Sequence, residues 1–401
     1  MNTSLEKLKR AAILLVGISA ALIPTMARAD WSIIGLNTLG VFQSEAYAIN
    51  DSGQVVGELR TGFSTSPHAF ITGPDGVGMT DLSTILNGES SFATGISNFG
   101  QVVGVTHAPH AQAFITGPTG VGITDLGIVG SFGSIYPATG INDSGQVVGN
   151  SYSLVSNSHQ PFITGPNGVG LTDIGTLGGR SIVYAINNSG QVVGSSQTSN
   201  GIYAFITDPN GVGMTDLGTL GGQISLANAI NDSGQVVGSS GSASSPYYLH
   251  AFITGPDGLD MTDLGTLGGT SLSYTNLASG ALAINDLGEV VGTALTADGN
   301  FHSFLFSHGG MTDLNLLPSV VTAGWNNIVV SDINNSGQIV GSGVHNGHTE
   351  AFLLSYTPDT VFTPSPIFIP PPVPEPEAYA MLLAGLGLIG FMARRRKETA
   401  V

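Results

Sequence analysis

Cysteine is absent from the 401 residues. That excludes disulfide staples, thiolate nucleophiles and cysteine-ligated metal centres, so stability must come from packing and backbone hydrogen bonds. Charge is scarce as well, with only 9% of residues Asp, Glu, Lys or Arg. Between Asp30 and Tyr356 there is no lysine, and Arg60 and Arg180 are the sole arginines against 22 acidic residues. A surface of that sign repels phosphate backbones and anionic lipid, which argues against nucleic acid as a partner. Divalent cations or neutral polymers are easier company, and calcium is compatible with such a surface. No Gly-x-Ser-x-Gly elbow and no His-Glu-x-x-His occurs, so two common hydrolase signatures are missing. No cofactor-binding motif is present either: the glycine phrases Gly76-Val77-Gly78 and Gly268-Gly269 open no helix and read as turns.

What the chain has in quantity is glycine, 58 residues, alongside 41% hydrophobic residues. That mixture suits a turn-rich β protein and not a disordered chain. The phrase Gly-Gln-Val-Val-Gly returns every 44 to 54 residues, opening at Gly53, Gly100, Gly145, Gly190, Gly234, Gly288 and Gly337, with Glu289 in place of Gln and Ile339 in place of Val. A fixed period of that size marks a repeat architecture, in which no unit buries its apolar face alone.

Each repeat alternates short apolar segments with turn signals. In the first, Tyr47–Asn50 leads into Asp51-Ser52-Gly53 and then Gln54–Gly57; His68–Thr72 leads into Gly73-Pro74-Asp75-Gly76 and then Met79–Leu82. The Asn-Asp-Ser-Gly and Pro-Asp-Gly turns suit hairpins in which glycine takes φ > 0. The expectation is a four-stranded antiparallel meander per repeat, the usual size of a propeller blade. Six fourth segments carry Asp, at Asp81, Asp125, Asp173, Asp216, Asp263 and Asp313, and the missing seventh lies at the front, in Ile34–Gly40. An N-terminal strand completing the last unit would close a ring and remove two open sheet edges. The sequence thus predicts an all-β, seven-bladed β-propeller, with a β-solenoid as the competing architecture.

The ends differ in character. Residues 1–29 have the form of a secretory signal: Lys7, Lys9 and Arg10, an apolar stretch, then Ala27-Arg28-Ala29 with cleavage between Ala29 and Asp30. Residues 30–356 hold the repeats, and 357–372 form a proline-rich stalk. Residues 373–401 contain Val373-Pro374-Glu375-Pro376, the apolar segment Ala378–Ala393 and the basic cluster Arg394-Arg395-Arg396-Lys397. This tripartite tail resembles the PEP-CTERM sorting signal of bacterial envelope proteins. The resemblance implies processing by an exosortase, a transient hold in the inner membrane through a helix over 378–393, and a final place at the cell surface or outside.

The third segments also carry a resemblance. Ala69-Phe70, Ala113-Phe114, Pro161-Phe162, Ala204-Phe205, Ala251-Phe252, Ser303-Phe304 and Ala351-Phe352 recur, with His68 and His250 completing His-Ala-Phe. They are similar to the HAF-repeat family of bacterial extracellular proteins, which implies location and repeat architecture but no general activity.

Candidate chemistry is sparse. The recurrent Asp of Thr-Asp-Leu-Gly would lie on the perimeter, bonded to loop amides and not to a metal. Asp51, Asp143, Asp232 and Asp286 lack calcium-loop spacing and read as turn formers. His107/His110 and His345/His348 are i, i+3 pairs without an obvious third ligand. No catalytic, cofactor-binding or metal-binding residue is therefore assigned. The turns between first and second and between third and fourth strands share one uniform face; the other face gathers the variable loops. There Arg60, Arg180, Tyr247, Tyr248, Tyr274 and Trp325 form the candidate binding face, since exposed aromatics stack on sugar rings or anchor a partner. The expectation is a non-enzymatic surface or matrix protein binding extracellular polysaccharide or envelope protein. The alternative is a propeller glycosidase or lyase, whose paired acids meet in space and not in sequence.

Overall fold

Every repeat begins where the sequence places a strand after an apolar alternation, and the two faces of that strand are buried against two different neighbours. A computed structural model describes residues 30–36, 43–61, 66–86, 90–106, 111–129, 138–153, 158–243, 248–270 and 277–357. Residues 29–357 form one unit; the signal, the stalk and the sorting tail, including Ala378–Ala393, lie outside the described residues.

The first repeat is an antiparallel sheet of Gln43–Ile49, Val55–Arg60, His68–Thr72 and Met79–Asp81, hydrogen-bonded in that order. The same order recurs from Ser91 to Val129, from Gly140 to Asp173 and from Ser279 to Asp313. The last repeat supplies only Asn326–Ile333, Ile339–His345 and His348–Thr357, and the N-terminal strand Asp30–Gly35 pairs antiparallel with the last of these, Asp30 opposite Thr357 and Gly35 opposite Phe352. These are five separate four-stranded blades.

The expectation of seven such blades is corrected by the remaining strands. Ser181–Asp216 and Gly221–Gly265 belong to one eight-stranded sheet, because Ile202 of one repeat pairs in parallel with Ile224 of the next. The physical cause is length. The first strand over Gly221–Ile230 has 10 residues against 6 for Ser181–Ile186, so it reaches the neighbouring third strand and bridges to it. The expected membrane helix over 378–393 lies outside the described residues, among which no helix is long and apolar enough to cross a membrane. The one α-helix there is Pro318–Thr322, inside the long connection before the last repeat.

The core lies between sheets. The valine pair of this phrase, Ile339-Val340 in the last repeat, is fully buried throughout, one side chain per face of the strand. Val55 joins Phe70 and Leu59 against Val340, Ala351 and Leu353 of the last repeat, while Val56 joins Ile71 and Leu82 against Phe114 of the next. The third-strand phenylalanines Phe70, Phe162, Phe205, Phe252, Phe304 and Phe352 are wholly enclosed in this way. The closing glycine has a steric reason. At Gly57 or Gly194 a Cβ would overlap the carbonyl oxygen of Glu45 or Ile182 on the first strand, where a bulge shifts the register. The opening glycine is required instead by its backbone, with φ of 75° at Gly53.

Candidate functional site: a polar rim around the central cavity

The first strands are innermost, and their ends converge on a cavity of about 200 Å³. It is lined by Ile-Asn-Asp or its equivalent from seven turns, starting with Ile49-Asn50-Asp51 and ending with Ile333-Asn334-Asn335. Each buried Asn binds its own turn first: the Asn50 Oδ1 accepts from the Gln54 amide at 2.9 Å. Its Nδ2 then donates to the Ser97 carbonyl of the next repeat at 3.1 Å. Asn142, Asn187, Asn231, Asn285 and Asn334 donate in the same way to the following turn, Asn334 returning to the Asn50 carbonyl.

Above these lies a second circuit. The Asp51 amide donates to Asn98 Oδ1, Asn98 to Asp143, Asp143 to Asn188, and Asn188 to Asp232. Asp232 donates to Asp286, Asp286 to Asn335, and Asn335 back to Asp51 at 3.0 Å. The circuit closes. Each asparagine also donates its Nδ2 to the carboxylates on both sides, as Asn188 does to Asp143 and Asp232. Around the rim, acids and amides therefore alternate except at Asp232 and Asp286, which stand side by side. Turn formation alone does not describe these four acids: they link one repeat to the next, which the sequence reading missed. The signal was available in the position of the first turn at the end of the innermost strand. Gln101, Gln146 and Gln338 add a third set of links, donating Nε2 to Asn167, Asn210 and Asp75 in the following repeat.

One inner position is exceptional. Asp332 directly follows the bulge of its strand, at a position held by Ala or Gly in the other repeats, and it accepts from the amides of Ile49 and Ile333, both at 2.9 Å. The residue keeps some accessible surface, yet protein atoms enclose its carboxyl group. Burial pushes that carboxyl up to about 7, against the two amide bonds and with the help of nearby Asp51.

The perimeter acids behave as expected from their sequence context. Asp81 accepts from the Ser83 amide at 2.7 Å, and Asp125, Asp173, Asp216 and Asp263 accept from the glycine two residues on. The histidine before Ala-Phe or Ser-Phe adds a partner: His68 Nδ1 lies 3.0 Å from Asp81 and His302 Nδ1 2.7 Å from Asp313. Partial burial raises the Asp81 carboxyl, but the Ser83 amide and His68 outweigh it and the net shift is downward.

The candidate binding face is only partly assembled. Tyr247, Tyr274, His107 and His110 lie outside the described residues. Trp325 is buried, stacked on His345 at 4.5 Å and edge-on to Phe352 at 5.7 Å, so it belongs to the core and not to a surface. His345 itself pairs with Glu350 through Nδ1 at 2.7 Å. Arg60 pairs with Glu58 at 3.2 Å, Tyr248 is partly exposed, and Arg180 is exposed. Tyr184, which the sequence did not single out, belongs with Arg180: burial raises its phenol and the Arg180 charge opposes that rise. Tyr47 likewise donates to Glu45 at 3.4 Å, and Glu45 stands opposite Glu58 in the register. Among the described residues no group of three or more His, Asp or Glu is placed to hold a metal ion.

With this geometry in place, comparison with known proteins gives three findings. Residues 372–397 match the PEP-CTERM protein-sorting motif. The chain therefore carries the signal of an extracellular protein sorted by exosortase. No curated protein matches the chain. Among solved structures, the β-propeller domain of the trilobed protease from Pyrococcus furiosus is similar, at TM-score 0.52 and 10% identity, covering 78% of this chain and 97% of that one. An oligogalacturonate lyase in complex with manganese is similar at TM-score 0.51 and 10% identity, over 82% and 96%. The acylaminoacyl peptidase of Pyrococcus horikoshii is similar at TM-score 0.51 and 9% identity, over 81% of this chain and 53% of that one. At such identities these likenesses show the propeller fold alone.

Proposed function

We propose that the protein is a binding scaffold of the extracellular matrix or envelope, holding neutral or weakly charged polysaccharide on its variable face. The observation that carries this reading is a division of labour. The recurrent polar side chains at the cavity rim are engaged with the neighbouring repeats, as the closed circuit through Asp51 and Asn335 illustrates. What varies between repeats is the opposite face, where Arg180 is exposed and Tyr248 partly exposed, and the Arg180 charge reaches Tyr184 further along the strand that starts there. Variable loops on a rigid frame suit binding, and the acidic, lysine-free surface disfavours polyanions. The HAF-like third strands, whose resemblance implies an extracellular repeat protein, point the same way; that resemblance rests on their residues alone. A glycan array probed with the processed protein tests it. Binding lost on Arg180→Ala and Tyr184→Ala, with the fold unchanged, is the expected result, and an array with no bound glycan would overturn it.

A second reading has one observation of its own. Glu45 and Glu58 face the same side of adjacent strands, Tyr47 contacts the first and Arg60 the second. Paired carboxylates are what a glycosidase needs. Turnover of exopolysaccharide that disappears in both Glu45→Gln and Glu58→Gln would favour an enzyme over a binder.

A further inference from the structure

The uniform face is apolar at its outermost points. The residue after Pro-x-Gly in the third-to-fourth turn is Val77, Val121, Val169, Val212 or Leu259, and these are 70%, 71%, 72%, 64% and 66% exposed. Phe99 and Leu287, at 65% and 72%, add larger side chains in the first-to-second turns of the same face. The two sets of turns are joined, since the Asp75 amide donates to the Ser52 carbonyl and the Gly76 amide to the Gly53 carbonyl. Exposed valine and leucine at one structural position in five repeats exceeds the scatter of single surface apolar residues.

Both ends of the described unit leave from this face. Asp30 pairs with Thr357, and Tyr356 packs beside Gly337 in the last rim turn, its ring carbon 3.0 Å from where a Cβ would stand. Trp31 and Tyr356 pack against each other there, their rings tilted by 42° with centroids 5.4 Å apart. Trp and Tyr are the side chains that settle at a membrane–water interface. The sorting motif begins at residue 372, and residues 358–371 reach at most about 50 Å fully extended. The face with the apolar points is therefore the one from which the chain continues toward its membrane-processed tail.

From this coincidence we infer that the uniform face docks on the surface of a neutral, zwitterionic phospholipid bilayer, turning the variable face outward. The valines and Phe99 enter the headgroup region by their apolar surface, and the attraction is hydrophobic because the face offers no lysine. Anionic lipid is disfavoured by Asp51, Asp143, Asp232 and Asp286 at the rim. The same acids disfavour a second copy, which would set rim against rim. The inference stands apart from polysaccharide binding, because no glycan enters its test.

The absence of cysteine makes the test direct. Single variants Val169→Cys and Asn200→Cys of the full chain are labelled with an environment-sensitive dye and mixed with phosphatidylcholine vesicles carrying brominated acyl chains. Asn200 is exposed in the second-to-third loop of its repeat, on the variable face. The dye at 169 should be quenched several-fold more strongly than the dye at 200, and high salt should not release it. Equal quenching at both sites, or none at 169, overturns the inference. So does shielding of the dye at 169 without lipid that grows with protein concentration, which would assign the face to a second copy.

Discussion

At position 332 the last repeat carries a carboxylate where the other six carry Ala48, Gly95, Gly140, Ala185, Ala229 and Ala283. Its pKa of about 7 stands above the ordinary 3.8, so the folded protein holds this proton more tightly than the unfolded chain. Stability from this group is complete below pH 3.8, declines as pH rises and is fully lost above about 7. The loss is at most about 4 kcal/mol. Denaturant unfolding of Asp332→Asn should match the parent near pH 4 and exceed it above pH 7; identical pH profiles would remove Asp332 as the cause. The rim makes a second residue-level prediction. Asn188 bridges Asp143 and Asp232, and Asn188→Asp replaces two donors with a charge between two acids. Its melting temperature should fall at pH 7, and the deficit should shrink as pH drops into the carboxylate range.

Two glycines separate the demands made by turn and by strand. Gly78 has φ of 66° with no atom near its Cβ direction, whereas a Cβ on Gly194 would meet the Ile182 carbonyl. Gly78→Ala should cost about 1 kcal/mol through backbone strain alone. Gly194→Ala should cost about 2–3 kcal/mol because the bulge must move. Equal costs in chemical denaturation would mean that the bulge is soft. The repeated phrase was legible in sequence as turns and strands because its glycines, valines and Asn-Asp-Ser-Gly turn carry strong local preferences. The N-terminal strand was legible because the tally of fourth segments fell one short. The merging of two repeats was not, since it depends on a first strand extended by Gly221-Gly222 and on one parallel pair, Ile202 with Ile224. Nor was the burial of Trp325, which a helix of five residues and the ring of His345 enclose. Removing Asp30–Gly35 exposes the edge of His348–Thr357 and strips ladder bonds worth about 1 kcal/mol each. It should lower the melting temperature markedly and promote association, whereas deleting residues 362–371 should leave the melting temperature unchanged.

For the molecule as a whole, the sequence made the candidate site only half readable. Composition pointed to export and away from nucleic acid, and the tail pointed to sorting, because those depend on residue types and order. The rim circuit was hidden because its partners stand 44 to 54 residues apart along the chain, or across the closure at 284, and a single turn gives no hint of them. The account holds that one face is a self-bonded frame and the other is the binding surface. Hydrogen–deuterium exchange of the processed protein, alone and with extracellular polysaccharide from the producing cells, tests both halves at once. The amides of Asn50–Gln54 and their equivalents should exchange slowly in both states, while the loops around Asn200 and Tyr248 should exchange quickly and slow down when polysaccharide is present. Fast exchange at the rim turns, or protection by polysaccharide that appears there and not in the loops, would contradict it.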